Sequence, residues 1–144
     1  MHLAEQEILA GCKLLPLVVR GDERGSLVPV EGGATIPFAI QRVYTVFGTL
    51  PGVSRGFHAH HQLRQLVIAV HGGFTMVLDD GRERQHVRLD RPDVGLTIGP
   101  MVWREMQDFT SDCVLMVLAD AHYDEADYIR DYAQFVALVE DDRA

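Results

Sequence analysis

Short apolar and β-branched runs recur along this chain at roughly ten-residue spacing, each closed by Gly, Pro or Asp. That rhythm is the rhythm of antiparallel β-structure. It predicts strands over residues 13–19, 26–30, 40–47, 56–60 and 63–70, then over 74–78, 85–89, 95–98, 101–106 and 113–119. Strands this short and numerous close into a sandwich or a barrel, since a lone sheet would leave one apolar face in water. The plainest turn is Asp79-Asp80-Gly81, between the runs at 74–78 and 85–89. Asp-Gly accepts the positive φ angles of tight hairpins, so Asp79 and Asp80 are read as turn residues rather than catalytic ones. Past Ala119 the pattern changes. Asp124 can cap a helix, and Ile129, Tyr132, Ala133, Val136 and Val139 then share one helical face. The expectation is one all-β domain over residues 1–144, an antiparallel jelly roll or β-barrel with a short C-terminal helix.

The bulk numbers narrow the partners. A net charge of −8 argues against nucleic acid and anionic membranes, which want a basic face. A small anionic substrate still fits if a few arginines gather in a pocket. Met1 to Glu7 contain no cationic segment leading into a long apolar run, so no secretory signal is read there. The apolar run at 113–119 is too short to span a bilayer. Cys12 and Cys113 lack zinc-like spacing and read as buried, reduced thiols of a cytoplasmic protein.

The chemistry concentrates in Arg55-Gly56-Phe57-His58-Ala59-His60. Side chains two apart on a strand leave the same face, so His58 and His60 can enter one cavity together. Such a pair suits a metal or a proton transfer, or is simply part of a barrel wall. Gly52, His58-x-His60 and Gly72 resemble most of the first motif of the cupins, small jelly-roll barrels that commonly hold a divalent metal. Metal-binding cupins carry a glutamate four or five residues after the second histidine, where this chain has Arg64 and Gln65. They add a later histidine, and the stretch from Gly95 to Glu105 has none. A catalytic metal needs about three protein ligands. Two imidazoles and a neutral amide beside an arginine are a poor set, with Glu105 a third ligand only if it faced inward. No metal and no cofactor are expected.

Further motifs stand in register: Ile36-Pro37-Phe38, Arg42-Val43-Tyr44, Leu63-x-Gln65, Leu78-Asp79-Asp80-Gly81-Arg82, Pro100-Met101-Val102-Trp103, Ser111-Asp112-Cys113-Val114-Leu115 and Tyr123-Asp124-Glu125-x-Asp127-Tyr128-Ile129-Arg130. From about Arg24 to Phe135 the chain resembles the sugar 3,4-ketoisomerases, the WxcM-like cupins acting on dTDP-4-keto-6-deoxyglucose. The resemblance implies a metal-free jelly roll, a homodimer that exchanges N-terminal strands, and transfer of the keto group from C4 to C3 on the way to 3-amino-3,6-dideoxy sugars. It implies that His58 and His60 are the acid/base pair, and that Arg55 and Tyr44 contact the substrate. Gln65 and Arg104 are placed with the substrate contacts. One departure stands out: the family usually has histidine where this chain has Arg104. Arginine stays protonated at working pH, so Arg104 cannot exchange a proton, though it can hold a phosphate or an enediolate oxygen. A metal-free 3,5-epimerase of the same sugar and a non-catalytic sugar-nucleotide-binding cupin are the competing readings.

Overall fold

The computed structural model describes residues 4–142; Met1-His2-Leu3, the start of the segment read for a leader, lies outside them. The strands, in chain order, are β1 (Gln6–Leu9), β2 (Cys12–Pro16), β3 (Arg20–Asp22), β4 (Gly25–Leu27), β5 (Arg42–Phe47) and β6 (Arg55–His60). Then follow β7 (Gln65–His71), β8 (Phe74–Asp79), β9 (Arg84–Leu89), β10 (Val94–Ile98), β11 (Trp103–Gln107), β12 (Val114–Ala119) and β13 (Tyr128–Ile129), with helix α1 at Tyr132–Asp142. Each expected run appears as a strand, with ends displaced by up to three residues. β1, β3 and β13, too short or too polar to show a two-residue apolar period, were not expected.

The strands form a six-stranded sheet in the order β1-β2-β10-β7-β12-β5, a five-stranded sheet β13-β6-β11-β8-β9, and the small β3–β4 hairpin. Every pairing between named strands is antiparallel. The two sheets enclose one apolar filling that includes Phe74, Met76 and Leu78 of β8, Val67 and Ala69 of β7, and Leu115 and Val117 of β12. This is the jelly-roll barrel that the strand rhythm predicts. The first five residues of β7 are all buried. Leu66 and Ile68, on its outer face, pack with Ile36 and Phe38 of the long β4–β5 connection. A strand covered on both sides loses its apolar/polar alternation, which is why 63–70 reads as a continuous run.

The C-terminal region departs from the expected helix. Asp124 does cap, but it caps a single 3₁₀ turn, Glu125–Asp127, by accepting the Ala126 N–H. The chain then extends, because Tyr128 and Ile129 pair with His60 and Ala59 at the sheet edge. Ile129 is therefore a strand residue. The helix begins only at Tyr132, with the Asp131 carboxylate accepting the Gln134 N–H in the manner of an N-cap. Its buried residues are Phe135 and Val139, packed with Trp103, Ala59 and Ile129. Trp103 is thus a core residue against the helix. Asp79, nearly buried, ties the same region together: it accepts from Arg84, from the Tyr132 hydroxyl at 2.8 Å and from the Gly81 N–H at 2.7 Å. Both cysteines are free and buried.

Candidate active site

The apolar filling occupies only part of the barrel; polar side chains line the rest. His58 and His60 face inward from β6 with ring centroids 4.9 Å apart, edge to face. Tyr128 lies opposite His60 in the strand register, and its ring closes on both imidazoles, 4.3 Å from His60 and 5.0 Å from His58. A cavity of about 300 Å³ opens beside them, lined in part by Arg42, His60, Leu63, Asp127 and Tyr128. It lies at the seam where the edge strands β5 and β13 of the two sheets leave the barrel unsealed.

A bulge shapes β6. His58 pairs with Arg104 and Gly56 with Glu105, so Phe57 is the extra residue, in the left-handed region with φ 58°. Gly56 precedes it at φ 92°, and a Cβ there would meet the Arg104 carbonyl oxygen at 3.0 Å. Only glycine fits that approach. The bulge also changes side-chain parity. In a regular strand Arg55 would face away from His58, three residues on. Here Arg55 pairs with Met106 and shares a sheet face with the histidines, at the exposed end of the strand. The bulge thus turns Arg55 to the sheet face that carries the histidines.

Asp127 completes the pair. Its carboxylate accepts the Gln62 and Leu63 backbone N–H groups at 2.9 and 3.2 Å and lies 3.2 Å from His60 Nδ1. A carboxylate only accepts, so the neutral ring must carry its proton on Nδ1. That leaves Nε2 as a bare lone pair, and this atom is buried without a partner. Burial, then the nearby Arg104 charge, hold both imidazoles neutral. They lower the His58 pKa from 6.5 to about 4, against an opposing hydrogen bond to the Gly56 backbone, and lower His60 further in the same direction.

Arg104 lies beneath them, 2% exposed. Its Nη1 donates to Gln65 Oε1, its Nη2 donates to the Val102 carbonyl at 3.1 Å, and its Nε has no partner. Gln65 Nε2 in turn donates to the Tyr44 hydroxyl at 3.1 Å. Tyr44 reaches the same interior from β5, opposite Val117 of the core. The inward donor set is therefore two imidazoles, an amide and a guanidinium. Among the described residues no three His, Cys, Asp or Glu side chains converge as metal ligands would. Of the residues singled out from the sequence, His58, His60, Tyr44, Gln65 and Arg104 come together, linked by ring contacts and hydrogen bonds, while Arg55 is exposed at the other end of β6 on the same sheet face. Asp127, Tyr128 and Arg42 were missed as site residues. Asp127 and Tyr128 belong to a motif that resembles the family, but a two-residue strand leaves no periodicity to place them.

The low His58 pKa gives a pH dependence. A base must be unprotonated to act, so its loss on acidification follows the folded-state value. For any reaction in which His58 takes a proton, kcat/KM is expected to stay level from about pH 8 to about pH 5.5 and to fall with a midpoint near 4. An acid limb centred at the ordinary histidine value would show that Arg104 and burial do not act on the ring as described.

The model of the family described as FdtA, WxcM-like, C-terminal matches residues 10–140. The chain belongs to the WxcM-like family. Among relatives, the TDP-4-oxo-6-deoxy-alpha-D-glucose-3,4-oxoisomerase of Aneurinibacillus thermoaerophilus is 54% identical over 114 residues, covering 79% of this chain and 82% of its own. A histidine-to-asparagine mutant of the 3,4-ketoisomerase QdtA from Thermoanaerobacterium thermosaccharolyticum, solved with TDP-4-keto-6-deoxyglucose, superposes with a TM-score of 0.91. It is 40% identical, over 93% of this chain and 97% of QdtA. The TDP-quinovose 3,4-ketoisomerase WlaRB of Campylobacter jejuni superposes at 0.87, with 43% identity over 90% and 99% of the two chains. With both solved ketoisomerases the superposition extends over the whole barrel.

Proposed function

We propose that this WxcM-like protein is a 3,4-ketoisomerase of a TDP-linked 4-keto-6-deoxyglucose, acting as a single cupin domain without metal or cofactor. The observation that carries the reading is the pair of imidazoles, 4.9 Å apart, held neutral by burial and by the nearby buried Arg104, with the Asp127 carboxylate against His60 Nδ1. Moving a ketone to the adjacent carbon requires one C–H proton to leave C3 and one to arrive at C4, with the hydroxyl proton passing from O3 to O4. Electrons stay within the sugar, so no oxidant is involved. His58 takes the C3 proton, the C4 carbonyl becomes an enediolate oxygen, and the same ring returns its proton to C4. A ring with a lowered pKa is a modest base but a strong acid, which favours the return step. His60 accepts at its bare Nε2 and carries the O3 proton to O4. Tyr44 hydrogen-bonds a sugar oxygen, and Arg104 stabilises the enediolate by its field through a chamber of low dielectric. Arg55, at the exposed edge, suits the pyrophosphate.

A homodimer that exchanges N-terminal strands belongs to the same proposal. It is supported by the bare outer edge of β5 and by Phe47, Leu50 and Val43, which are 72%, 70% and 54% exposed. The place of action is proposed to be the cytoplasm, where nucleotide sugars are made. Among the described residues no helix is long and apolar enough to cross a membrane.

The test is to incubate the protein with TDP-4-keto-6-deoxyglucose in deuterated water and follow the sugar by NMR. A new C3 ketone with label confined to C3 and C4 is the expected outcome. Label at C3 and C5 would replace the proposal with epimerisation, and tight binding without exchange would replace it with a binding module.

A further inference from the structure

Three observations at the chamber floor have no explanation in the proton shuttle itself. Among the described residues the Arg104 guanidinium is fully buried without an ion-pair partner, its Nε makes no hydrogen bond, and a buried amide sits between it and a tyrosine. Burying an arginine without a carboxylate is costly, and a merely structural site would replace it with something apolar.

The hydrogen-bond chemistry gives the arrangement a direction. A guanidinium has five N–H donors and no acceptor, so the atom of Gln65 facing Arg104 Nη1 must be the amide oxygen. The amide of Gln65 therefore cannot flip. Its NH₂ is committed to the other side, where it meets the Tyr44 hydroxyl. That hydroxyl accepts from the amide and must send its own proton elsewhere. Among the described residues no acceptor for it is present, and Tyr44 is partly exposed, so the proton is available to a ligand oxygen. Tyr44 comes from β5, Gln65 from β7 and Arg104 from β11, so the chain of donors crosses the barrel and ends at the substrate side.

We propose that Arg104 and Gln65 are positioning residues that do not touch the sugar: Arg104 locks the Gln65 amide, and the amide makes Tyr44 a one-way donor toward the sugar oxygen that becomes anionic. This deepens the ketoisomerase reading and rests on it. The relay also accounts for a neutral amide at position 65. A glutamate there would pair with Arg104, cancel its field at the histidines, and accept from Tyr44. The phenol would then turn its proton away from the chamber and offer a lone pair to an oxygen that is gaining negative charge. Carboxylate and amide have the same shape, so the change reverses a hydrogen bond without opening a cavity.

The experiment is a double-mutant cycle on the full chain with Tyr44→Phe, Gln65→Glu and the double variant, assayed with TDP-4-keto-6-deoxyglucose, with TDP affinity measured in parallel. Removing one donor from a developing oxyanion costs about 10²-fold in kcat. Each single variant is expected to lose at least about that much with TDP affinity within a few-fold, Gln65→Glu the more because it also cancels the Arg104 field, and the double variant to lose no more than Gln65→Glu alone. A second readout does not depend on turnover: with ¹³C-labelled tyrosine, the Tyr44 ring carbon bearing the hydroxyl is followed by NMR through an alkaline titration. Gln65→Glu is expected to move its midpoint upward, since a donor to the phenolate is replaced by a negative charge. Gln65→Glu with kcat within twofold of the parent, losses that multiply in the double variant, or an unmoved Tyr44 midpoint would each overturn the relay. Failure of the parent protein to exchange hydrogen at C3 and C4 would instead overturn the ketoisomerase reading, while the titration still reads the hydrogen bond.

Discussion

His58→Asn is expected to lower kcat by about 10³–10⁴-fold, the upper range for loss of a positioned acid/base group, while TDP affinity stays within a few-fold. The asymmetry follows from the placement of the ring. His58 lies directly opposite Arg104 in the strand register, its ring beside His60 and Tyr128, and burial with the Arg104 charge keeps it unprotonated. Asparagine keeps the polarity and approximate size, so the bulge at Phe57 and the packing of Ala59 against the helix cluster are undisturbed. What is lost is the imidazole proposed to take the carbon-bound proton and give it back. Steady-state kinetics with TDP-4-keto-6-deoxyglucose and calorimetric titration with TDP measure the two quantities separately. A variant with kcat near the parent value would remove His58 from the mechanism.

Asp127→Asn should come next in size, about 10²–10³-fold in kcat, with the loss arising through His60 rather than through any contact with the sugar. Asp127 Oδ1 takes the Gln62 N–H, while Oδ2 faces both the Leu63 N–H and His60 Nδ1. An asparagine that keeps its oxygen on Gln62 turns its NH₂ toward the other two. Donor then faces donor at Leu63. At His60 the amide favours the opposite tautomer, which puts a proton on Nε2, the atom left bare in the parent. The ring stays where it is and can no longer accept. Histidine ¹⁵N NMR reads the tautomer directly, and kcat reads its consequence. A parent-like rate with the tautomer reversed would show that His60 Nε2 takes no proton from the substrate. A conserved tautomer with a collapsed rate would give Asp127 some other role. The same substitution should cost about 1–3 kcal/mol of stability, the usual penalty for a buried donor left unmatched.

Much of this site is legible in one strand. The inward pairing of His58 and His60 follows from a two-residue repeat that any extended backbone obeys, and ring centroids 4.9 Å apart confirm it. The hairpin at Asp79-Asp80-Gly81 is legible for a similar reason, since the turn's φ requirement is local. Asp79 shows the limit of that reading. Its turn role is real, yet its nearly buried carboxylate also holds Tyr132 and Arg84, and nothing in a hairpin signal shows what a helix 53 residues later will bring to it. The misread helix start at Asp124 has the same origin. Asp124 is a sound cap by its own chemistry, but the sheet edge offers Tyr128 and Ile129 backbone partners that a new helical turn does not.

By itself the sequence determined the succession of strands, the shared face of two histidines and the likeness to a family, because each depends on spacing within a few residues. The tertiary structure decided the rest. It brought Asp127 to His60 across 67 positions and Gln65 to Arg104 across 39, and it set Arg55 on the chamber's side through one extra residue in a bulge. Hydrogen-bond direction belongs to this second group. Whether Tyr44 gives or accepts a proton is fixed by which atoms close around it, and closure of a barrel is a property of the whole chain rather than of any stretch of it.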